Sequence, residues 1–161
     1  MLRWTLLVMV LLAGGYLGAA HFSGGAFPTL GLPLGGERAW LRKTVRAFLE
    51  DIQFKDFNHA ASYHAPDKRD SVDIPYLLER LFLQKPESLD IMDYEIVFAK
   101  IDSTGRRARV KARVKVKNLL RGDIRDQEFV LFFHRDAPES PWYMELESSL
   151  RQISGEKGKK R

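Results

Sequence analysis

The segment that most constrains the fold of this chain is the run RARVKARVKVK, which spans residues 107–117. Cationic side chains occupy every second position, and Ala or Val fills the positions between them. A β-strand points successive side chains to opposite faces, whereas a helix would scatter both kinds around its axis. The run therefore predicts a strand with one cationic face and one small apolar face. A row of cations also raises the hypothesis of nucleic-acid binding, which the neighbouring segments test.

Three turns place this strand in an antiparallel meander. Ser103-Thr104-Gly105 predicts a three-residue hairpin loop, Arg121-Gly122 predicts a two-residue turn, and residues 137–140 predict a last loop. With these turns, the apolar positions of four strands share one inner face: Tyr94, Ile96, Phe98, Val110, Ala112, Val114, Phe129, Leu131, Phe133, Met144 and Leu146. Because a one-residue slip would turn a strand's apolar face outward, the agreement of three turns supports this register.

The same registers predict ion pairs on the outer face. The predicted pairs are Glu95 with Arg113, Asp93 with Lys115, Lys117 with Asp126 and Lys115 with Glu128. Paired cations argue against a nucleic-acid surface, which leaves its cations free for phosphates and interleaves them with aromatic side chains. Arg107, Arg109 and Lys111 have no predicted acidic partner. They form a candidate surface for an anionic partner, such as lipid headgroups or an acidic protein.

Helical periodicity precedes the sheet. Apolar residues spaced three and four apart predict a helix over residues 37–55 and a second over residues 56–64, which Pro66 ends. Asp73 is a candidate N-cap for a third helix that carries Pro75 in its first turn. The predicted fold class is therefore α+β, with N-terminal helices packed on a curved antiparallel meander of four or more strands.

The N-terminal segment is apolar. Residues 4–22 carry no charged side chain, and roughly 20 such residues suffice to cross a bilayer. Arg3 precedes the segment, and no Lys or Arg follows before Arg38. If residues 2–22 cross the cytoplasmic membrane once as an anchor, this distribution of positive charge places the domain outside the cytoplasm. The alternative is a signal peptide cleaved before His21, which would release a secreted domain.

These patterns divide the chain into four parts. Residues 1–22 form the anchor or signal segment, residues 23–36 a Gly- and Pro-rich linker, residues 37–153 the folded domain and residues 154–161 a basic disordered tail. The net charge is +5, and most of it comes from the tail and Arg3 rather than from the domain. The chain has no cysteine, which excludes disulfides, thiolate nucleophiles and cysteine metal ligands.

The order of elements carries a family resemblance. The segment TVRAFLEDIQFKDFNHAASYH (residues 44–64), a third helix and a long-stranded meander together resemble the membrane-anchored envelope members of the nuclear-transport-factor-2-like (cystatin-like) superfamily. The resemblance covers residues 37–153 and implies a cone-shaped cavity between the helices and the sheet. The candidate cavity-lining residues are Tyr63, Tyr94, Phe98, Phe129, Phe133, Trp142 and Met144.

The predicted inner face lacks the groups that catalysis would need. Isomerase- and dehydratase-type members of the superfamily carry an acid–base pair in the cavity, and no carboxylate or histidine lies on this face. His59, His64 and His134 are scattered, which predicts surface or packing roles, no catalytic residues, no metal site and no cofactor. We expect a membrane-anchored, periplasmic binding or scaffolding domain without catalytic activity, which meets a second copy or an envelope protein through its sheet. The alternatives are an isomerase- or dehydratase-like enzyme and a sensor of an apolar ligand in the cavity.

Overall fold

A computed structural model describes residues 2–23, 35–84, 89–119, 122–145 and 148–149. Within these residues, five α-helices lead into a four-stranded antiparallel sheet whose strand order is β1-β2-β3-β4. Helices packed on an antiparallel sheet confirm the predicted α+β class. The predicted tail and all but three residues of the predicted linker lie outside the described residues.

The N-terminal helix α1 spans Leu2–Phe22. Within the described ranges, no helix has the combination of length and apolar character that crossing a bilayer requires. The prediction of a transmembrane helix over residues 1–22 is therefore not confirmed.

Helix α2 spans Gly36–Phe54 and supplies the helical side of the core. Its buried residues Leu41, Val45, Phe48, Leu49 and Ile52 recur at the spacing that places side chains on one face of a helix. The helix ends where Lys55 adopts a left-handed conformation, and its backbone N–H caps the carbonyls of Asp51 and Ile52.

Three short helices connect α2 to the sheet. They are α3 (Phe57–Ala61), α4 (Pro66–Ser71) and α5 (Ile74–Glu79), and a π-helical turn over Arg80–Gln84 extends the last. Asp73 caps α5 as predicted, because its carboxylate accepts a hydrogen bond from the backbone N–H of Tyr76 at 3.0 Å. Pro66, in contrast, begins α4. A proline in the first turn of a helix has no N–H to leave unpaired, so it can start a helix as well as stop one.

The first two strands are β1 (Leu89–Ile101) and β2 (Arg107–Asn118). The predicted pairing of Tyr94 with Val114 and of Ile96 with Ala112 is confirmed. Beyond Ile96 a bulge shifts the register, so that Phe98 lies opposite Lys111 rather than Val110. The predicted inner position of Phe98 is therefore wrong. The bulge turns this ring to the outer face, where the guanidinium of Arg109 lies 5.8 Å from its centroid.

Helix α2 provides a partner for the bulge. Arg42 Nη1 donates a hydrogen bond to the carbonyl oxygen of Ile96 at 3.0 Å, at the point where the β1–β2 register shifts. A bulge disrupts the ladder and leaves backbone groups to be satisfied by other partners. The contact therefore couples the position of α2 to the shift that exposes Phe98.

Strand β3 (Ile124–His134) pairs with β2 two residues away from the predicted register. Phe129 lies opposite Ala112 rather than Val114, and Glu128 lies opposite Arg113 rather than Lys115. A shift of two residues preserves the faces, so Phe129, Leu131 and Phe133 still point inward and are buried. The outer-face pairs change instead. The strand β4 (Tyr143–Met144) is short, and its predicted pairing of Met144 with Phe133 is confirmed.

A buried arginine ties the end of the sheet to the start of α2. Arg135 follows β3, its side chain is only 6% exposed, and both ends of its guanidinium donate to the carboxylate of Glu37. Its Nε donates to the carbonyl of Gly105 in the β1–β2 hairpin at 2.6 Å, and its guanidinium carbon lies 4.2 Å from the ring centroid of Trp142. The Arg135 side chain thus holds three separate segments together, and we call this set of contacts the Arg135 clamp.

Candidate functional site

The predicted cavity-lining residues do not form one lining. Phe129, Phe133, Trp142 and Met144 are buried within the hydrophobic core. Tyr63 and Tyr94 are partly buried and pack against that core. Phe98 lies on the opposite face of the sheet. Six of the seven residues therefore belong to the hydrophobic core or to its margin, where they pack against other apolar side chains.

The two margin tyrosines are held in their neutral form. Burial raises the pKa of Tyr63 to about 12, and the nearby carboxylate of Asp51 reinforces the shift. Burial also raises the pKa of Tyr94, and the charge of Glu50 adds to the effect. A phenol with a raised pKa donates hydrogen bonds but rarely ionises. Among the described residues, no carboxylate forms a hydrogen bond with the phenol of Tyr94 or with the imidazole of His64.

Asp51, His59 and Tyr63 form a polar cluster between α2 and α3. His59 Nδ1 lies 2.9 Å from Asp51 Oδ2, and the rings of His59 and Tyr63 meet edge to face at 5.6 Å. The Asp51 hydrogen bond raises the pKa of His59. The His59 side chain is 59% exposed, so this dyad lies at the surface rather than at the end of a cavity. Acid–base catalysis depends on holding a substrate proton within hydrogen-bond distance, which an open surface does poorly.

The outer face of the sheet carries a hollow of about 460 Å³. We call it the outer-face hollow, and its lining residues are Lys100, Asp102, Arg107, Ala108, Arg109, Phe132, Phe133 and Glu145. In the strand register, Lys100 and Phe132 stand on either side of Arg109, and His134 stands opposite Arg107. Two of the three residues predicted as an anionic-partner surface, Arg107 and Arg109, thus line one concave site.

Two of the other cations of β2 are paired with carboxylates. Lys111 Nζ lies 2.7 Å from Glu128 Oε2, and Arg113 Nη1 lies 3.4 Å from Glu95 Oε2. The Arg113–Glu95 pair is confirmed as predicted, whereas the prediction that Lys111 lacks an acidic partner is wrong. The two-residue register shift causes this difference, because it moves Glu128 toward the Arg107 end of the strand.

Lys100, Arg107 and Arg109 keep their charges available. In the described part of the chain, none of the three forms an ion pair. The two carboxylates of the hollow already have partners. Asp102 accepts hydrogen bonds from the hydroxyl of Thr104 and from backbone N–H groups of its own hairpin, and these bonds lower its pKa. Glu145 accepts a hydrogen bond from Ser148 Oγ at 3.0 Å.

Aromatic rings lie among these cations. Phe98 contacts Arg109 on one side, Phe132 lies opposite Arg109 on the other, and the ring of Tyr143 is 6.4 Å from that of His134. The period-2 pattern of β3 already signals that Phe132 points away from its neighbours Leu131 and Phe133. Phe98 has no comparable signal, because a single bulge residue decides its face. The outer-face hollow therefore combines positive charge with aromatic surface.

A metal centre finds no support in the described residues, where no three His, Asp or Glu side chains are grouped closely enough to hold an ion. The charge and shape of the outer-face hollow instead suit the binding of an anion by side-chain donors.

Comparisons with known proteins give little guidance. No family model matches the chain, and no curated protein matches it. Among solved structures, the chain is similar to a SEC-C motif containing protein from Rhodopseudomonas palustris, with 16% sequence identity, a TM-score of 0.48, and coverage of 64% of this chain and 73% of that chain. The predicted membership of the nuclear-transport-factor-2-like superfamily receives no support from the family models, from the curated proteins or from this structure. Nothing about function follows from a similarity at this level.

Proposed function

We propose that the α+β domain is a non-catalytic binding domain that engages an anionic partner through the outer-face hollow. One observation carries the proposal. Lys100, Arg107 and Arg109 line a concave surface without ion pairs among the described residues, whereas their neighbours Lys111 and Arg113 are paired with carboxylates. Cations that are not neutralised within the fold are available to an external anion.

The location of these cations favours binding over a purely solvated role. A concave surface brings several donors to one anion, and arginine offers a planar fork that matches carboxylate or phosphate oxygens. Each exposed charge contact contributes modestly and is screened by salt. Affinity at this site is therefore expected to depend on several contacts acting together and to fall as the salt concentration rises.

Side chains outside the outer-face hollow support the non-catalytic part of the proposal. The inner face consists of buried apolar side chains such as Phe129, Leu131 and Phe133. His64 is buried among the core elements and its Nδ1 donates to the carbonyl of Ala61 at 3.2 Å. These groups stabilise the fold, and the Asp51–His59 dyad lies at an open surface.

The test compares two pairs of substitutions on the same strand. The full chain is titrated against a polyglutamate peptide, phosphatidylglycerol vesicles and a single-stranded oligothymidylate. R107Q/R109Q should weaken binding of whichever anion binds by at least about ten-fold, and the matched control R113Q/K115Q, which removes the same charge, should change it by less than about three-fold. Equal effects of the two pairs would show attraction to net charge alone and would contradict the proposal, as would the absence of binding to all three anions.

A further inference from the structure

We propose that the outer-face hollow recognises a nucleotide unit, with the phosphate held by Arg107, Arg109 and Lys100 and the base stacked on Phe132. This inference rests on the proposed function and specifies the chemistry of the anion. The nucleotide can be free or part of a single strand, since both present a phosphate beside a planar base.

The cations form a compact phosphate-binding group. Arg107 and Arg109 are two residues apart on β2, so their side chains leave the same face about 7 Å apart. Lys100 lies directly opposite Arg109 on β1. Two guanidinium forks and one ammonium group can surround a single phosphate, or contact successive phosphates of an extended strand.

The aromatic rings distinguish this hollow from a simple cationic patch. Phe132 lines it beside Arg109, and Phe98 lies on the other side of the same guanidinium. Stacking of a base on an aromatic side chain contributes strongly to single-strand binding and tolerates any base, because every base has a π-face. A carboxylate side chain would use the cations and leave the rings without a partner. The observation therefore favours a ligand that has both an anion and a flat ring.

The bulge in β1 removes one of the two objections that the sequence raised against nucleic acid. The straight register buries Phe98 and so leaves the cationic face without this ring. In the structure the bulge brings Phe98 to the outer face, and the cations of the hollow have no ion pair among the described residues. Cations interleaved with aromatic rings on an open sheet face are the arrangement that single-strand binders use.

The size of the site agrees with one nucleotide. Small-molecule sites typically enclose about 300–1,000 Å³, and the outer-face hollow measures about 460 Å³. It lies on the surface of the sheet, so a strand can continue across it. Lys111 and Arg113, the next cations along β2, are held by Glu128 and Glu95.

The experiment separates stacking from charge. The full chain is titrated with a fluorescein-labelled twelve-nucleotide oligothymidylate and with polyglutamate. F132L should weaken oligothymidylate binding by about five-fold or more, the loss expected for one stacked base, and should leave polyglutamate binding unchanged. The matched control F54L replaces an exposed phenylalanine at the C-terminal end of α2, outside the hollow, and should change neither. R107Q/R109Q should weaken the binding of both ligands. It should also make the logarithm of the affinity depend less steeply on the logarithm of the salt concentration.

A second measurement needs no variant. Addition of oligothymidylate to the wild-type chain should shift the ring-proton NMR signals of Phe132 upfield, because a stacked base shields them. Competition by adenosine monophosphate identifies a free nucleotide as the ligand, whereas binding of the oligonucleotide alone identifies a strand. If polyglutamate or vesicles bind through Arg107 and Arg109 while oligothymidylate and the mononucleotide do not, the nucleotide inference fails and the proposed function stands. If no anion binds, both fail.

Discussion

The buried imidazole of His64 makes the stability of the domain depend on pH. Its side chain is 1% exposed and lies where the chain before α4 meets Met144 of the sheet. Burial lowers the pKa of His64 from its usual 6.5 to about 4, because the protonated ring loses its hydration in the interior. Unfolding exposes the ring, so the unfolded chain takes up a proton at a higher pH than the folded chain does.

The direction and size of the effect follow from these two pKa values. Between pH 6.5 and pH 4 the unfolded state binds more protons, so the free energy of unfolding falls as the pH falls through this window. Each unit of difference between the two pKa values corresponds to about 1.4 kcal/mol. The chain should therefore be about 2 kcal/mol less stable at pH 5 than at pH 7, and about 3 kcal/mol less stable near pH 4.

Urea unfolding of the full chain, followed by tryptophan fluorescence at about pH 7, 6 and 5, measures this loss. H64F and H64N have no titrating group at this position, so their stability should change far less over the same range, whatever its absolute value. H59Q serves as the control. Asp51 raises the pKa of His59, so that group stabilises the fold at low pH and loses its effect as the pH rises. The acid-induced loss below pH 6 should persist in H59Q. Parallel pH profiles for the wild type and H64F would refute the reasoning.

Three further substitutions test local features of the fold by urea unfolding. E37Q should cost about 2 kcal/mol, because it leaves the buried Arg135 without its carboxylate. E139Q, at an exposed site, should cost nothing measurable, and equal stability of the two variants would show that the Arg135 clamp is not formed. G105A should cost about 1 kcal/mol, because a φ of +67° strains any residue with a Cβ, and a neutral result would place the hairpin in another conformation. D73A should cost about 1 kcal/mol by removing the cap on the N–H of Tyr76, and an unchanged midpoint would exclude that cap.

The faces of β2 and β3 were predictable, whereas the residues that lie opposite each other across this pair of strands were not. Alternation in β2 and β3 identifies the buried side chains, because a register error of two residues leaves every side chain on the same face. The length of the β2–β3 connection decides which residues are opposite each other. In the structure the ladder ends with Asn118 N–H donating to Asp123 O, and Gly122 adopts a positive φ, so the connection is longer than a two-residue turn at Arg121-Gly122.

The candidate site depends on the two features that alternation does not encode. The bulge after Ile96 reverses the face of Phe98, and the register shift gives Lys111 an acidic partner while Arg107 and Arg109 gain none. The Arg135 clamp was also missed, since periodicity gives no reason to bury a cation. Its position follows from the simultaneous closeness of Glu37, Gly105 and Trp142, which only the tertiary fold provides.

The central claim is that Arg107 and Arg109 form the contact surface for an anionic partner. A salt-dependent titration of the wild type, R107Q/R109Q and R113Q/K115Q with the same labelled oligothymidylate tests it most directly. We expect R107Q/R109Q to lose about ten-fold or more in affinity and to reduce the salt dependence of binding. The affinity of R113Q/K115Q should stay within about three-fold of the wild-type affinity, and its salt dependence should be retained. Equal losses in the two variants would contradict the claim, because binding would then follow net charge and not the outer-face hollow.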